Sequence, residues 1–139
     1  MKDFPAVAEE AGNLALVVKS ALLDASAGDH LFLREAQEQR MRLLTKELAG
    51  PNPTRLERLL AERIVLCGLQ LHIAEYRSAR ADSIPITQAD YHQRCIDRAQ
   101  KRYFSAIKTL AQIRKLGLPA LQVNIAAEGG KQVNLQASD

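Results

Sequence analysis

The sequence has no tryptophan, three tyrosines and three phenylalanines, so aromatic residues make up only 4% of its 139 residues. A core without large rings is filled by Leu, Ile, Val and Ala, which are the usual residues between packed helices. Only two cysteines are present, which favours free buried thiols over a disulfide framework. The first residues, Met-Lys-Asp-Phe-Pro, lack the apolar segment of a signal peptide, and this predicts a cytoplasmic protein.

Motifs for catalysis and metal binding are also lacking. The sequence has no glycine-rich phosphate loop and no nucleophile elbow. His92 and Cys95 lie three residues apart and could share a helix face. Cys67 and His72 lie five residues apart and point in different directions on a helix, so neither pair has zinc-finger spacing. We therefore predict a protein that is not an enzyme and that has no cofactor and no metal site.

An uncharged stretch of 11 residues, Ile64 to Ala74, is the feature around which the fold is predicted to form. Thr54 and Glu57 have the spacing of a capping box, so a helix is expected to begin just before this stretch. The stretch is well short of the roughly 20 residues that cross a bilayer. A helix that is apolar on most sides has to be covered by protein on more than one face.

Helical periodicity predicts a mainly α protein, a helical bundle that forms a single domain over residues 1–139. Two N-terminal helices are expected within residues 5–49, with Asp29 capping the second. They flank a long antiparallel helix hairpin within residues 54–117. Its two helices are expected to be of similar length, at about 54–81 and 88–116.

The pattern changes after the second hairpin helix. Gly117 is expected to end that helix, with Pro119 just beyond it. The tripeptide Gln-Val-Asn then occurs twice, at 122–124 and 132–134, within alternating runs on either side of a Gly-Gly pair. This predicts a β-hairpin at about 120–136. Because a two-stranded hairpin alone is marginal in water, it has to dock on the helices or pair with other subunits.

The central helix and the unpaired tail together predict a homo-oligomer. Both elements contribute apolar residues to the expected interface. These residues are Leu59, Leu66, Leu69, Ile73, Val123, Ile125, Val133 and Leu135.

The net charge of +3 is concentrated in the second half of the chain, where residues 51–139 carry 13 basic and 8 acidic groups. Basic residues occupy the side of helix 88–116 that faces away from its partner: Arg94, Arg98, Lys101, Arg102, Lys108 and Lys115. Two interpretations stay open, a surface that contacts phosphates and a solvated face paired with acids of the first two helices. No aromatic residue is interleaved on this face, which favours backbone contact over stacking on single-stranded bases.

These observations favour a non-enzymatic, oligomeric accessory protein that holds DNA or RNA against the basic helix. The alternative is a scaffold for self-assembly or for a protein partner, without nucleic acid. A helix-turn-helix formed by the first two helices is disfavoured, because that part of the chain is net acidic. No membrane partner is expected.

Five segments form a familiar combination: Glu47–Pro53, Leu56–Arg63, Arg102-Tyr103, Lys108–Ala111 and the Gln-Val-Asn-Ile tail. Through these segments the chain resembles, over about residues 30–136, an uncharacterised family of bacterial proteins. The resemblance implies no activity, and adds only that the helix hairpin and the tail belong together. In architecture alone, the predicted combination of helix hairpin and C-terminal strands is similar to small terminase subunits of phages, which implies association with a phage or mobile element.

Overall fold

A computed structural model describes residues 13–128 of the chain, and the side chains of residues 13–117. Four helices make up this part: α1 (Leu14–Ala27), α2 (Leu31–Ala49), α3 (Arg55–Ala79) and α4 (Ile86–Glu128). The predicted mainly α helical bundle is therefore confirmed. Among these helices, none combines the length and the apolar character that crossing a membrane requires.

The starts of the helices follow from local hydrogen bonding. At α3 the Thr54 hydroxyl accepts from the Glu57 backbone N–H at 3.2 Å, and the Glu57 carboxylate accepts from the Thr54 N–H at 2.7 Å, so the predicted capping box is confirmed. Helix α1 begins after Asn13, whose side chain accepts from the N–H of the second helical residue. The earlier start predicted for this helix falls in residues 5–12, outside the described residues. His30, rather than Asp29, precedes α2, and it makes no side-chain cap bond.

Helices α3 and α4 form the predicted antiparallel hairpin. Ile64 of α3 packs with Ala106 and Leu110 of α4, while Gly68, further along α3, lies against the ring of Tyr103. Contacts that move forward along α3 and backward along α4 define an antiparallel pair. At Gly68 a Cβ atom would stand 3.1 Å from Tyr103 Cε2, so the missing side chain allows this close approach.

The central stretch of α3 is covered on two sides. Five consecutive residues, Ile64 to Gly68, are buried. Val65 and Leu66 pack with Leu23 of α1 and Met41 of α2, whereas Ile64 packs against α4. The prediction of cover on more than one face is confirmed, and the chain itself supplies that cover.

The prediction for the end of the hairpin is wrong. Helix α4 continues through Gly117 and Pro119 to Glu128, so it has 43 residues against 25 in α3, and the helices are not of similar length. Gly117 has no positive φ, unlike a glycine that ends a helix. The first strand expected in the 120–136 β-hairpin therefore lies inside α4, and from residue 129 onward the hairpin falls outside the described residues.

A physical reason for this difference is that a short apolar alternation does not distinguish a strand from a helix. Leu121 and Ile125 are also four residues apart, which is helical spacing. Extending an existing helix adds hydrogen bonds without a new nucleation step. A separate two-stranded hairpin has to form its own turn and gains little from it. Pro119 lacks the N–H that a helix interior uses, but the helix continues through it, so the cost of this lost hydrogen bond is smaller than the gain from extending α4.

Candidate nucleic-acid interface

The packing of α4 on α3 decides which residues of α4 face water. Buried or half-buried residues recur along α4 at three- and four-residue intervals: Ala99, Tyr103, Ala106, Leu110 and Ile113. This spacing defines one face of a helix. The basic residues predicted to contact nucleic acid lie away from it, and all six are exposed. We call Arg94, Arg98, Lys101, Arg102, Lys108 and Lys115 the basic face.

Four members of the basic face form a regular stripe. Arg94, Lys101, Lys108 and Lys115 follow one another at intervals of seven residues, which is about 10.5 Å along the helix axis. The stripe is therefore about 32 Å long. Arg98 and Arg102 lie beside it, and Arg102 Nε donates to the Arg98 carbonyl at 3.3 Å.

Two of the four acidic groups of α1 and α2 are engaged with basic groups of the same two helices, whereas Glu35 and Glu47 form no ion pair with side chains of residues 13–117. Lys19 and Arg42 lie 3.5 Å and 3.2 Å from the Glu38 carboxylate, and Arg34 pairs with Asp24. Partial burial opposes ionisation of Glu38, but the nearby charges and hydrogen bonds outweigh it and lower the pKa of this carboxyl group. Within residues 13–117 no member of the basic face forms an ion pair.

Two acids share the outer side of α4 with these cations. Asp90 and Asp97 are both exposed, and Asp97 accepts a hydrogen bond from the Gln93 side chain at 3.0 Å. Six cations against two carboxylates leave this surface with an excess of positive charge. Such a surface attracts the phosphates of a nucleic acid and loses that attraction as salt is added.

The prediction that no aromatic residue accompanies the basic face is wrong. Phe104 is exposed, and it lies three residues after Lys101 and four before Lys108, the spacing of neighbours on a helix surface. Tyr91 is also exposed, three residues before Arg94. Phe104 is close enough to the stripe that stacking on an unpaired base has to be tested together with phosphate contact.

Arg114 belongs to α4 but not to the basic face. Its guanidinium donates to the backbone carbonyl of Leu48 and, at 3.1 Å, to that of Ala49, where α2 ends. It also lies 3.4 Å from the Glu57 carboxylate in the first turn of α3. Arg114 therefore links its own helix, α4, to the end of α2 and to the start of α3.

The local charges at this junction suit the helix ends. A cation beside the last carbonyls of α2 and a carboxylate in the first turn of α3 both complement the helix dipoles. Hydrogen bonding with the Thr54 backbone and hydroxyl, followed by the Arg114 guanidinium, holds the pKa of Glu57 below its ordinary value. Sequence analysis missed this role of Arg114, although its position four residues after Leu110 places it on the side facing α3.

The residues assigned to an oligomer interface fall into different environments. Leu66 and Ile73 are only 6% and 9% exposed within the single chain, whereas Leu59 is 54% exposed. Leu69 is half-buried and packs against the group of buried residues that contains Leu66. Val123 and Ile125 lie in α4 beyond Gly117, where only the backbone is described, and Val133 and Leu135 lie outside the described residues. Assembly stays a prediction, but α3 does not need a second copy to cover Leu66 and Ile73.

Among the described side chains, no three residues of the His, Cys, Asp and Glu types come together in a cluster suited to a metal ion. Cys67 is buried and Cys95 is half-buried, and both are free thiols.

The basic face of α4 is therefore the surface with the clearest chemical character. Comparison of the chain with protein-family models, with curated proteins and with solved structures yields no match.

Proposed function

We propose that this protein is a non-enzymatic, cytoplasmic accessory protein that binds nucleic acid through the phosphate backbone, with the basic face of α4 as its contact surface. The observation that carries the proposal is the stripe Arg94–Lys101–Lys108–Lys115, exposed and free of ion pairs among the described side chains. Regular spacing along about 32 Å suits repeated phosphates better than it suits a compact ligand. The contact is expected to show little preference for sequence.

Association with a phage or mobile element is not part of this proposal. It depended on a likeness in architecture that included C-terminal strands, and α4 occupies the position of the first of those strands.

The salt dependence of binding tests the proposal. Affinity for a random-sequence duplex is measured by fluorescence anisotropy over a range of NaCl concentrations. Replacing Arg98, Lys101 and Arg102 together by alanine should make the slope of log K against log salt shallower by up to about 2.7, which is 0.9 for each lost phosphate contact. Affinity at low salt should fall as well.

A matched control removes the same charge from another surface. Arg40, Arg55 and Arg63 are exposed residues of α2 and α3, and replacing all three by alanine should change the slope much less. Equal effects of the two triple variants would mean that only net charge matters, and would overturn the assignment to α4. Repeating the titration on a single strand, with Phe104→Ala, shows whether base stacking contributes.

A scaffold for self-assembly or for a protein partner is the second candidate. It is favoured by large apolar side chains that the chain leaves exposed, among them Leu31, Phe32 and Phe104. Native mass spectrometry with and without the duplex separates the two candidates. Oligomers without bound duplex would favour the scaffold, whereas a complex containing duplex would favour the first proposal.

A further inference from the structure

A groove opens between α1, α2 and α3. It encloses about 530 Å³, which is within the range of protein binding sites. Its apolar lining comes from all three helices: Leu16 of α1, Met41 and Ala49 of α2, and Val65 and Leu66 of α3. An apolar pocket with a few charged groups at its edge is the default candidate for a binding site.

The charge around the groove restricts the kind of occupant. Four basic residues line it, Lys19, Arg42, Lys46 and Arg58, against one acidic residue, Glu62. Lys19 and Arg42 are already paired with Glu38. Lys46 and Arg58 form no ion pair with any side chain of residues 13–117. An occupant that is apolar and acidic therefore suits the groove best.

The first half of α1 leaves apolar side chains that the described part of the chain does not cover. Only Leu23 and Ala27, in its second half, are buried. In the first half Leu14, Leu16, Val17 and Val18 are exposed. Asn13, Ala15, Leu16 and Lys19 of the same half line the groove, so an occupant of the groove would also cover part of α1.

We infer that residues 1–12 of the chain itself dock in this groove. The segment joins α1 at Asn13, which is at the edge of the groove. It has the required chemistry, since Phe4 and Val7 are apolar and the acids Asp3, Glu9 and Glu10 outnumber its one lysine. Position 4 can lie up to about 30 Å from Asn13 along an extended chain, so Phe4 can reach the apolar lining. Docking places Glu9 and Glu10 near Lys46 and Arg58.

The lack of tryptophan gives a clean test in the full-length protein. Phe4→Trp introduces a single tryptophan, which is excited at wavelengths that the three tyrosines do not absorb, and Phe32→Trp provides a reference at a site that is 86% exposed. If the segment docks, the tryptophan at position 4 should emit at shorter wavelength than the reference. It should also be quenched by acrylamide several-fold less.

Reversing charges on the segment and on the groove tests whether the groove is the docking site. In the Phe4→Trp background, Glu9→Lys with Glu10→Lys should make the tryptophan as accessible as the reference. Adding Lys46→Glu with Arg58→Glu should protect it again, and this rescue also shows that the reversed variants are folded.

Three results would overturn the inference. The tryptophan at position 4 could be as accessible as the one at position 32, which means that the segment does not dock. The protection of this tryptophan could stay unchanged under all four charge reversals, which would mean that the segment docks at a site other than the groove. Protection that disappears on dilution would assign the segment to the groove of a second copy.

Discussion

Arg114 of α4 contacts two parts of the chain that are distant from it in sequence, the last carbonyls of α2 and the first turn of α3. Replacing it by alanine leaves two backbone carbonyls without this donor and Glu57 without its cation. We expect the free energy of unfolding to fall by about 1–2 kcal/mol. Arg114→Lys should be intermediate, because an ammonium group cannot match the fork of the guanidinium.

Lys115→Ala is the matched control for Arg114→Ala. Lys115 is the next residue of α4 and is exposed, so its removal should change the free energy of unfolding by less than about 0.5 kcal/mol. Urea unfolding followed by circular dichroism measures both variants. Equal losses for Arg114→Ala and Lys115→Ala would show that the junction contributes no specific stability.

Glu57 gives a prediction about pH. Its pKa in the folded protein lies below the ordinary value of 4.5, so ionised Glu57 stabilises the fold above that value, and the contribution is lost as the pH falls through the lowered pKa. Glu57→Gln should therefore be less stable than the natural protein at neutral pH. The difference should shrink as the pH falls from about 5 to about 2. A difference in urea midpoint that stays constant over this range would contradict the assignment.

Single residues were predictable where the pattern is local. The Thr54–Glu57 capping box depends on three-residue spacing, and the exposure of the basic face depends on helical periodicity, so both could be read from the sequence. The role of Arg114 could not, because a basic residue near a helix end is equally expected from the helix dipole alone. Its carbonyl partners lie 65 and 66 residues away in the chain.

At the scale of helices, Gly117 tests where α4 ends. It lies inside α4, has no positive φ, and a Cβ atom there would have no neighbour within 4 Å among the described side chains. Gly117→Ala should therefore raise the free energy of unfolding by about 0.5–1 kcal/mol, since alanine restricts the unfolded chain and favours helix. A decrease instead would indicate a helix-ending glycine and restore the predicted end of the hairpin.

The same substitution at Gly68 provides a contrast. Alanine would again favour helix, but its Cβ would lie 3.1 Å from the ring of Tyr103, so the ring or α4 has to move. Gly68→Ala should consequently be less favourable than Gly117→Ala by about 1–3 kcal/mol. Thermal unfolding of both variants measures the difference between their changes in the free energy of unfolding.

Helices were predictable to the extent that apolar periodicity and caps define them. The central helix and its antiparallel partner are long and strongly patterned, and both were predicted correctly as a hairpin. The region after Gly117 has only short apolar runs, for which strand and helix periods are both satisfied. The helix is favoured there because the chain continues from α4, and extending a helix needs no new nucleation. A short local pattern does not contain this information about the preceding element.

For the whole molecule, α3 separates two groups of buried residues. Leu23, Met41, Val65 and Leu66 form one with α1 and α2, and Ile64, Ala106 and Leu110 form the other with α4. Leu48 of α2 packs against both groups. The sequence could predict that α3 is covered on several sides, but not that one leucine of another helix joins the two sides, since this depends on how α2 crosses the hairpin.

Leu48 should therefore couple the two groups energetically. Double-mutant cycles compare Leu48→Ala and Leu44→Ala, each combined with Leu110→Ala; Leu44 is half-buried on the same helix and, among the described residues, packs against the first group and not the second. Leu48 and Leu110 should show a coupling energy above about 0.5 kcal/mol in urea unfolding, because Leu48 packs against the group that contains Leu110, while Leu44 and Leu110 should be additive. If both pairs are additive, the two groups are energetically independent, and the bundle should be able to lose α1 and α2 without unfolding the hairpin. If both pairs couple equally, the connection runs through α3 as a whole rather than through Leu48.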